Sequence, residues 1–157
     1  MKIRDCMKRT VVSIPATATV GEAAALIVAR HIGLLPVVDA QGRVLGVLGV
    51  RDLLTLELPA FVNLVDDVDF VHDFGAVETT RPSPEALAQP VTSLMRPATM
   101  VPEDCGLLRA YALMLQRDLH DLPVIAADGA LVGIASRVDI GAALLAGWRG
   151  LPKGGAP

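Results

Sequence analysis

Residues Leu119–Asp139 read LHDLPVIAADGALVGIASRVD, and residues Ile32–Asp52 read IGLLPVVDAQGRVLGVLGVRD. Shifting the second stretch by 87 positions lays Pro36 on Pro123, Gly42 on Gly129, Gly46 on Gly133 and Asp52 on Asp139. Aliphatic residues match between those points without a gap. Such a match is an internal repeat, and a repeat constrains the fold before any single element does. Each copy has two short apolar runs around a polar turn, then the start of a helix. Two copies of such a unit must bury their apolar faces.

Working outward, Val11–Ile14 is a β-branched run closed by Pro15 and reads as a brief strand. Thr19 with Glu22 three residues on has the form of a capping box ahead of a helix through Ala23 and Arg30. Leu35–Val38, the turn Asp39–Gly42 and Val44–Leu48 form a hairpin, and a helix runs from Val50 to about Leu58, ahead of Pro59. The second copy repeats this from Val91. Thr99–Val101 is its brief strand and Leu107–Leu119 its first helix. Val124–Ala126 and Leu131–Ala135 flank the turn at Asp128-Gly129, and a last helix spans Arg137 to about Trp148. Four segments result: a first repeat over 1–58, an insert over 59–90, a second repeat over 91–148 and a Gly/Pro-rich tail over 149–157, expected to be disordered. In the insert, Phe61, Leu64, Val65, Val68 and Val71 follow helical spacing, with Phe70 and Phe74 off that stripe, and Arg81–Pro84 reads as a turn or linker.

Composition excludes several classes. The 157 residues suit one domain with a proper core, built from aliphatics because aromatics make up only 3%. A net charge of −3 offers no basic face for nucleic acid. No stretch of eighteen apolar residues is present to cross a bilayer, and the first ten residues lack an apolar signal core, so no membrane partner and a cytoplasmic location are expected. Cys6 and Cys105 lack metal or redox spacing and read as reduced thiols. His31, His72 and His120 stand apart, without the arrangement of nucleophile, base and orienting group that catalysis needs, and the glycines form neither a P-loop nor GxGxxG. No catalytic residue, no resident metal and no obligatory cofactor is expected.

The strings LLPVVD, GRVLGVLGVRDL and DLPVIAADGALVGIASRVDI, with the lead-ins CMKRTVVSIP and LMRPATMVP, resemble a tandem pair of cystathionine-β-synthase (CBS) domains. The resemblance covers residues 4–58 and 91–146 but not the insert. It implies an α/β fold of two βαββα repeats packed with pseudo-two-fold symmetry, plus an inserted helix. It also implies homodimerisation and an adenosine-containing ligand (AMP, ADP, ATP or S-adenosylmethionine) bound as a regulator between the repeats.

The family's ligand pattern runs from glycine through two apolar residues to Ser or Thr, and two residues later to Asp. Copy two keeps it as Gly133-Ile-Ala-Ser136-Arg-Val-Asp139. There Asp139 would accept both ribose hydroxyls, and Ser136 with the helix N-terminus would face phosphate, with Arg137 adding a cation. The same Ser136-x-x-Asp139 is also close to a plain capping box, which needs no ligand. Copy one has Gly49 in place of the hydroxyl, so Asp52 is the weaker candidate. By resemblance, Thr99, Met100, Val101, Leu122 and Pro123 would contact the base; core packing is the competing role for each. His120 matches a phosphate-binding position of some relatives, although Asp121 stands where they often carry a basic residue. Lys8, Arg9 and Arg96 lie near the lead-ins as solvated cations within possible reach of phosphate. Asp66, Asp69 and Asp73 share a helical strip and raise the question of a divalent cation, against the simpler reading of a solvated face. The expectation is a non-catalytic sensor with an unidentified protein target; the rival is a dimerising adaptor with vestigial sites.

Overall fold

The computed structural model describes residues 1–56 and 81–149. The first of its two compact units lies within Val12–Ala98, and the second joins Met1–Val11 to the chain from Thr99 onward. The insert stripe from Phe61 to Val71, Phe70, Phe74, the strip Asp66, Asp69 and Asp73, and the tail from Gly150 lie outside the described residues.

In the first unit, β1 (Ile14–Pro15) pairs in parallel with β2 (Leu34–Val38), which pairs antiparallel with β3 (Val44–Gly49). The second unit repeats this with β4 (Val101–Pro102), β5 (Asp121–Ile125) and β6 (Leu131–Ser136). Both hairpins turn through a glycine with positive φ, Gly42 at 76° and Gly129 at 85°, where a side chain would be strained. Between first and second strands run α1 (Val20–Arg30) and α4 (Leu107–Gln116); after the third come α2 (Val50–Leu54) and α5 (Arg137–Ala146). The α1 capping box forms: the Glu22 N–H donates to Thr19 Oγ1 at 3.2 Å, and the Thr19 N–H donates to Glu22 Oε2 at 2.7 Å.

Some boundaries differ from the sequence reading, each for a local reason. Pro15, expected to close its brief strand, belongs to it, as Pro102 does in the second unit, since an edge strand tolerates a missing N–H. The helix expected to reach Leu119 stops at Gln116, and Asp118 turns left-handed at φ 49°. The segment read as a turn near Pro84 holds α3 (Pro84–Ala88), capped by Ser83 with proline at the first helical position.

The lead-ins are exchanged. Ile3, fully buried, packs in the core with Leu122, Val124 and Ile140 of the second repeat, while Val91 packs in the core with Leu35, Val37 and Leu48 of the first. Each lead-in then adds a two-bond bridge to the third strand of that unit. Lys8 and Ile134 exchange N–H···O bonds of 2.8 and 2.9 Å, and Arg96 and Val47 exchange two of 2.9 Å. The glycine before each bridge makes room for it. A Cβ on Gly46 would lie 2.8 Å from the Arg96 carbonyl oxygen and 3.0 Å from Met95 Sδ, and one on Gly133 would press on Met7 and the Lys8 carbonyl. The first glycine of the ligand pattern is therefore a packing requirement.

Gly46→Ala is expected to destabilise the protein by about 1–3 kcal/mol through overpacking against backbone. Gly33→Ala, with open space around the new methyl, should stay within about 0.5 kcal/mol of wild type in urea unfolding.

Candidate functional site

β6 ends on Ser136, which is extended (φ −83°, ψ 163°) and caps α5. Three residues on, Asp139 completes the box. The Asp139 N–H donates to Ser136 Oγ at 3.1 Å; the Ser136 N–H and hydroxyl donate to Asp139 Oδ2 at 2.9 and 2.6 Å. From the exchanged lead-in, Lys8 Nζ reaches the same Oδ2 at 3.6 Å. All these contacts use one oxygen, so Oδ1 has no partner among the described residues. Partial burial pushes the Asp139 carboxyl up, but the Ser136 hydrogen bonds and the Lys8 ammonium outweigh it and hold the group below the ordinary range. Asp139 thus stays ionised near neutrality, caps its helix with one oxygen and keeps the other to accept.

The matching aspartate of the first repeat is closed. Asp52 is 8% exposed, accepts the Gly49 N–H at Oδ2 (2.8 Å) and accepts Arg96 Nε at Oδ1. Arg96 occupies the place in its lead-in that Lys8 holds in the other. Both cations stay exposed as expected, and each also meets a carboxylate. A planar guanidinium holds a carboxylate oxygen more firmly than a flexible ammonium does.

The other nominated residues divide. Arg137 turns from the corner: its Nε and Nη2 donate to the Leu119 carbonyl at 3.1 and 2.7 Å, and Nη2 pairs with Asp118 at 3.4 Å. The His120 side chain is exposed, and its carbonyl accepts the Arg137 N–H at 2.8 Å. Val101, Leu122 and Pro123 are buried in the second unit's core. Thr99 Oγ1 accepts from Arg117 at 3.0 Å. Met100, 38% exposed, lines with Val101 and Arg109 a cavity of about 330 Å³ beside α4, apart from Ser136 and Asp139. The structure therefore brings together Ser136, Asp139 and Lys8, while Asp52 stands with Arg96 in the other unit.

One member of the corner was not nominated. Asp121 is paired in register with Ser136 across β5 and β6. Burial pushes its carboxyl above the ordinary range, and nearby Asp139 adds to this against the opposing charges of His120 and Lys8. The signal was present in the repeat, where Asp121 falls on Leu34.

Among the described residues, no group of three His, Cys, Asp or Glu side chains could hold a metal ion, and no helix is long and apolar enough to cross a membrane.

The fold defines a class, and comparison with known proteins agrees on it. The CBS-domain family model matches twice, over residues 3–58 and 91–146, and the chain belongs to that family. Among curated proteins it is similar to two CBS domain-containing proteins of Arabidopsis thaliana. It is 30% identical to CBSX1, chloroplastic, over 79% of this chain and 55% of the relative. It is 32% identical to CBSX2, chloroplastic, over 78% of this chain and 53% of the relative, so it spans about half the length of each. A crystal structure of CBSX2 aligns at a TM-score of 0.71 with 26% identity, covering 92% of this chain and 94% of that one. A second CBSX2 structure, in complex with AMP, aligns at 0.69 with 27% identity, covering 92% and 96%.

Two outcomes follow from the charges. Removing Arg96 strands a buried carboxylate, so Arg96→Ala should cost about 1–3 kcal/mol, whereas Lys8→Ala, at an exposed pair, should cost at most about 1 kcal/mol; urea midpoints compare them. Asp121, with its folded-state pKa raised, destabilises the protein when ionised. That cost is full above the folded pKa and vanishes below the unfolded value near about 4. Asp121→Asn should therefore stabilise the protein at neutral pH and lose that advantage in unfolding curves taken at acid pH.

Proposed function

We propose that this chain is a non-catalytic regulatory module that binds an adenosine-containing ligand at the corner between β6 and α5 of the second repeat. The observation that carries this reading is Asp139, ionised and fixed by Ser136, with Oδ1 left to accept ribose hydroxyls. The N-terminus of α5, a ten-residue helix, adds partial positive charge beside it. The CBSX2 complex with AMP, at 27% identity, supports the ligand class. In this reading Ser136 and Asp139 form the ribose corner. His120 and Arg137 border it, while Met100, in the cavity beside α4, and Thr99, held by Arg117, lie outside that corner. Asp52 takes no ligand, because Arg96 fills its second oxygen.

Homodimerisation belongs to the same reading, supported by large exposed apolar side chains on α4 and α5, among them Leu108 and Val138. Two free thiols, Cys6 and Cys105, fit a reducing compartment, and a cytoplasmic setting is part of the same proposal. Regulation requires a protein target that distinguishes bound from free module, since a ligand shifts an equilibrium only by its differential affinity.

Thermal unfolding with adenosine, AMP, ADP, ATP and S-adenosylmethionine, each alone, tests the reading. A ligand at about a hundred times its Kd should add about 2.7 kcal/mol of stability. Asp139→Ala should lower the baseline through its lost cap and abolish the ligand-induced increment, while Asp52→Ala keeps that increment. No increment with any compound would favour the adaptor, in which Ser136 and Asp139 serve only as a cap.

A further inference from the structure

Residues directly opposite in an antiparallel pair project from the same face. In the first unit Leu34 lies opposite Gly49, and Leu34 Cδ1 is 3.6 Å from where a Gly49 Cβ would stand. In the second unit that register puts Asp121 opposite Ser136, so its carboxylate shares the face that carries the ribose corner. Asp121 is half-buried, yet its side chain has no hydrogen-bond or ion-pair partner among the described residues. His120 and Lys8 oppose the raised pKa without outweighing burial, and neither pairs with the carboxylate. Lys8 is 66% exposed and leans on Asp139, and Arg137 is directed at Leu119 and Asp118. Two carboxylates thus face the corner against one exposed ammonium, with the exposed His120 alongside.

Ribose is a small ring, so a ligand held through its hydroxyls at Asp139 carries its 5′ substituent within a few ångströms of the same corner. Phosphate there meets a second fixed negative charge, which opposes the attraction of the α5 N-terminus. A cationic centre instead meets an acceptor that the protein has left unpaired.

Resting on the proposed adenosine site, we infer that Asp121 makes the corner selective by charge. It admits adenosine compounds whose 5′ substituent is neutral or cationic and disfavours those ending in phosphates. The first repeat, with Leu34 at the equivalent place, has no such group.

Calorimetric titration of wild type, Asp121→Asn and Asp121→Leu with adenosine, S-adenosylmethionine, AMP and ATP, at neutral pH and low salt, separates the possibilities. Wild type should bind adenosine and S-adenosylmethionine at least about tenfold more tightly than ATP, the size of effect a close like charge produces on a neighbouring group. Both variants should narrow that gap by gaining affinity for AMP and ATP, with adenosine little changed. Added salt should narrow it in wild type as well. Equal gaps in wild type and variants, or a wild-type preference for ATP, would overturn the charge filter and leave the adenosine site standing. Failure of wild type to bind any of the four would overturn both.

Discussion

A carboxylate three residues into a helix has a prior obligation: the helix N-terminus leaves amide groups without partners, and the side chain must help to settle them. Both repeats meet it in the same way, Asp52 toward Gly49 and Asp139 toward Ser136. The repeats part company over the second oxygen. In the first, a guanidinium takes it and the carboxylate is largely buried. In the second, the cation is an exposed lysine on the oxygen already used by the cap, so an acceptor remains. The proposed assignment of the ligand to the second repeat rests on that difference.

Both cations come from exchanged lead-ins, so the chemistry of each corner depends on residues distant in the chain. The exchange also explains the glycines of the repeated pattern. Gly46 and Gly133 lie where lead-in backbone and a methionine press on the sheet, so their lack of a side chain serves packing, and in the proposed site the ligand chemistry begins at Ser136. A sequence pattern that looks like one functional motif thus combines two requirements, close approach at its start and a capped carboxylate at its end.

Much of the fold was legible in the chain because its determinants are local. Capping residues lie three apart, the hairpin turns need glycine at Gly42 and Gly129, and the strands are short aliphatic runs. The features that were not legible depend on contacts across the fold. No local pattern says that Ile3 belongs to a core built from residues beyond 100, or that Lys8 and Arg96 meet carboxylates. Nor does composition separate base-contacting residues from core: Leu122 and Pro123 are fully buried, which aliphatic runs leave open. Asp121 was recognised as an acidic neighbour of His120, but only strand register shows that it shares a face with Ser136.

The central claim is that one corner is open and its twin is shut, and counting bound ligand tests it most directly. Equilibrium dialysis of the wild-type chain with radiolabelled adenosine should saturate near one molecule per chain, and Asp139→Ala should remove that binding. Saturation near two per chain, or binding that survives Asp139→Ala and disappears with Asp52→Ala, would contradict it.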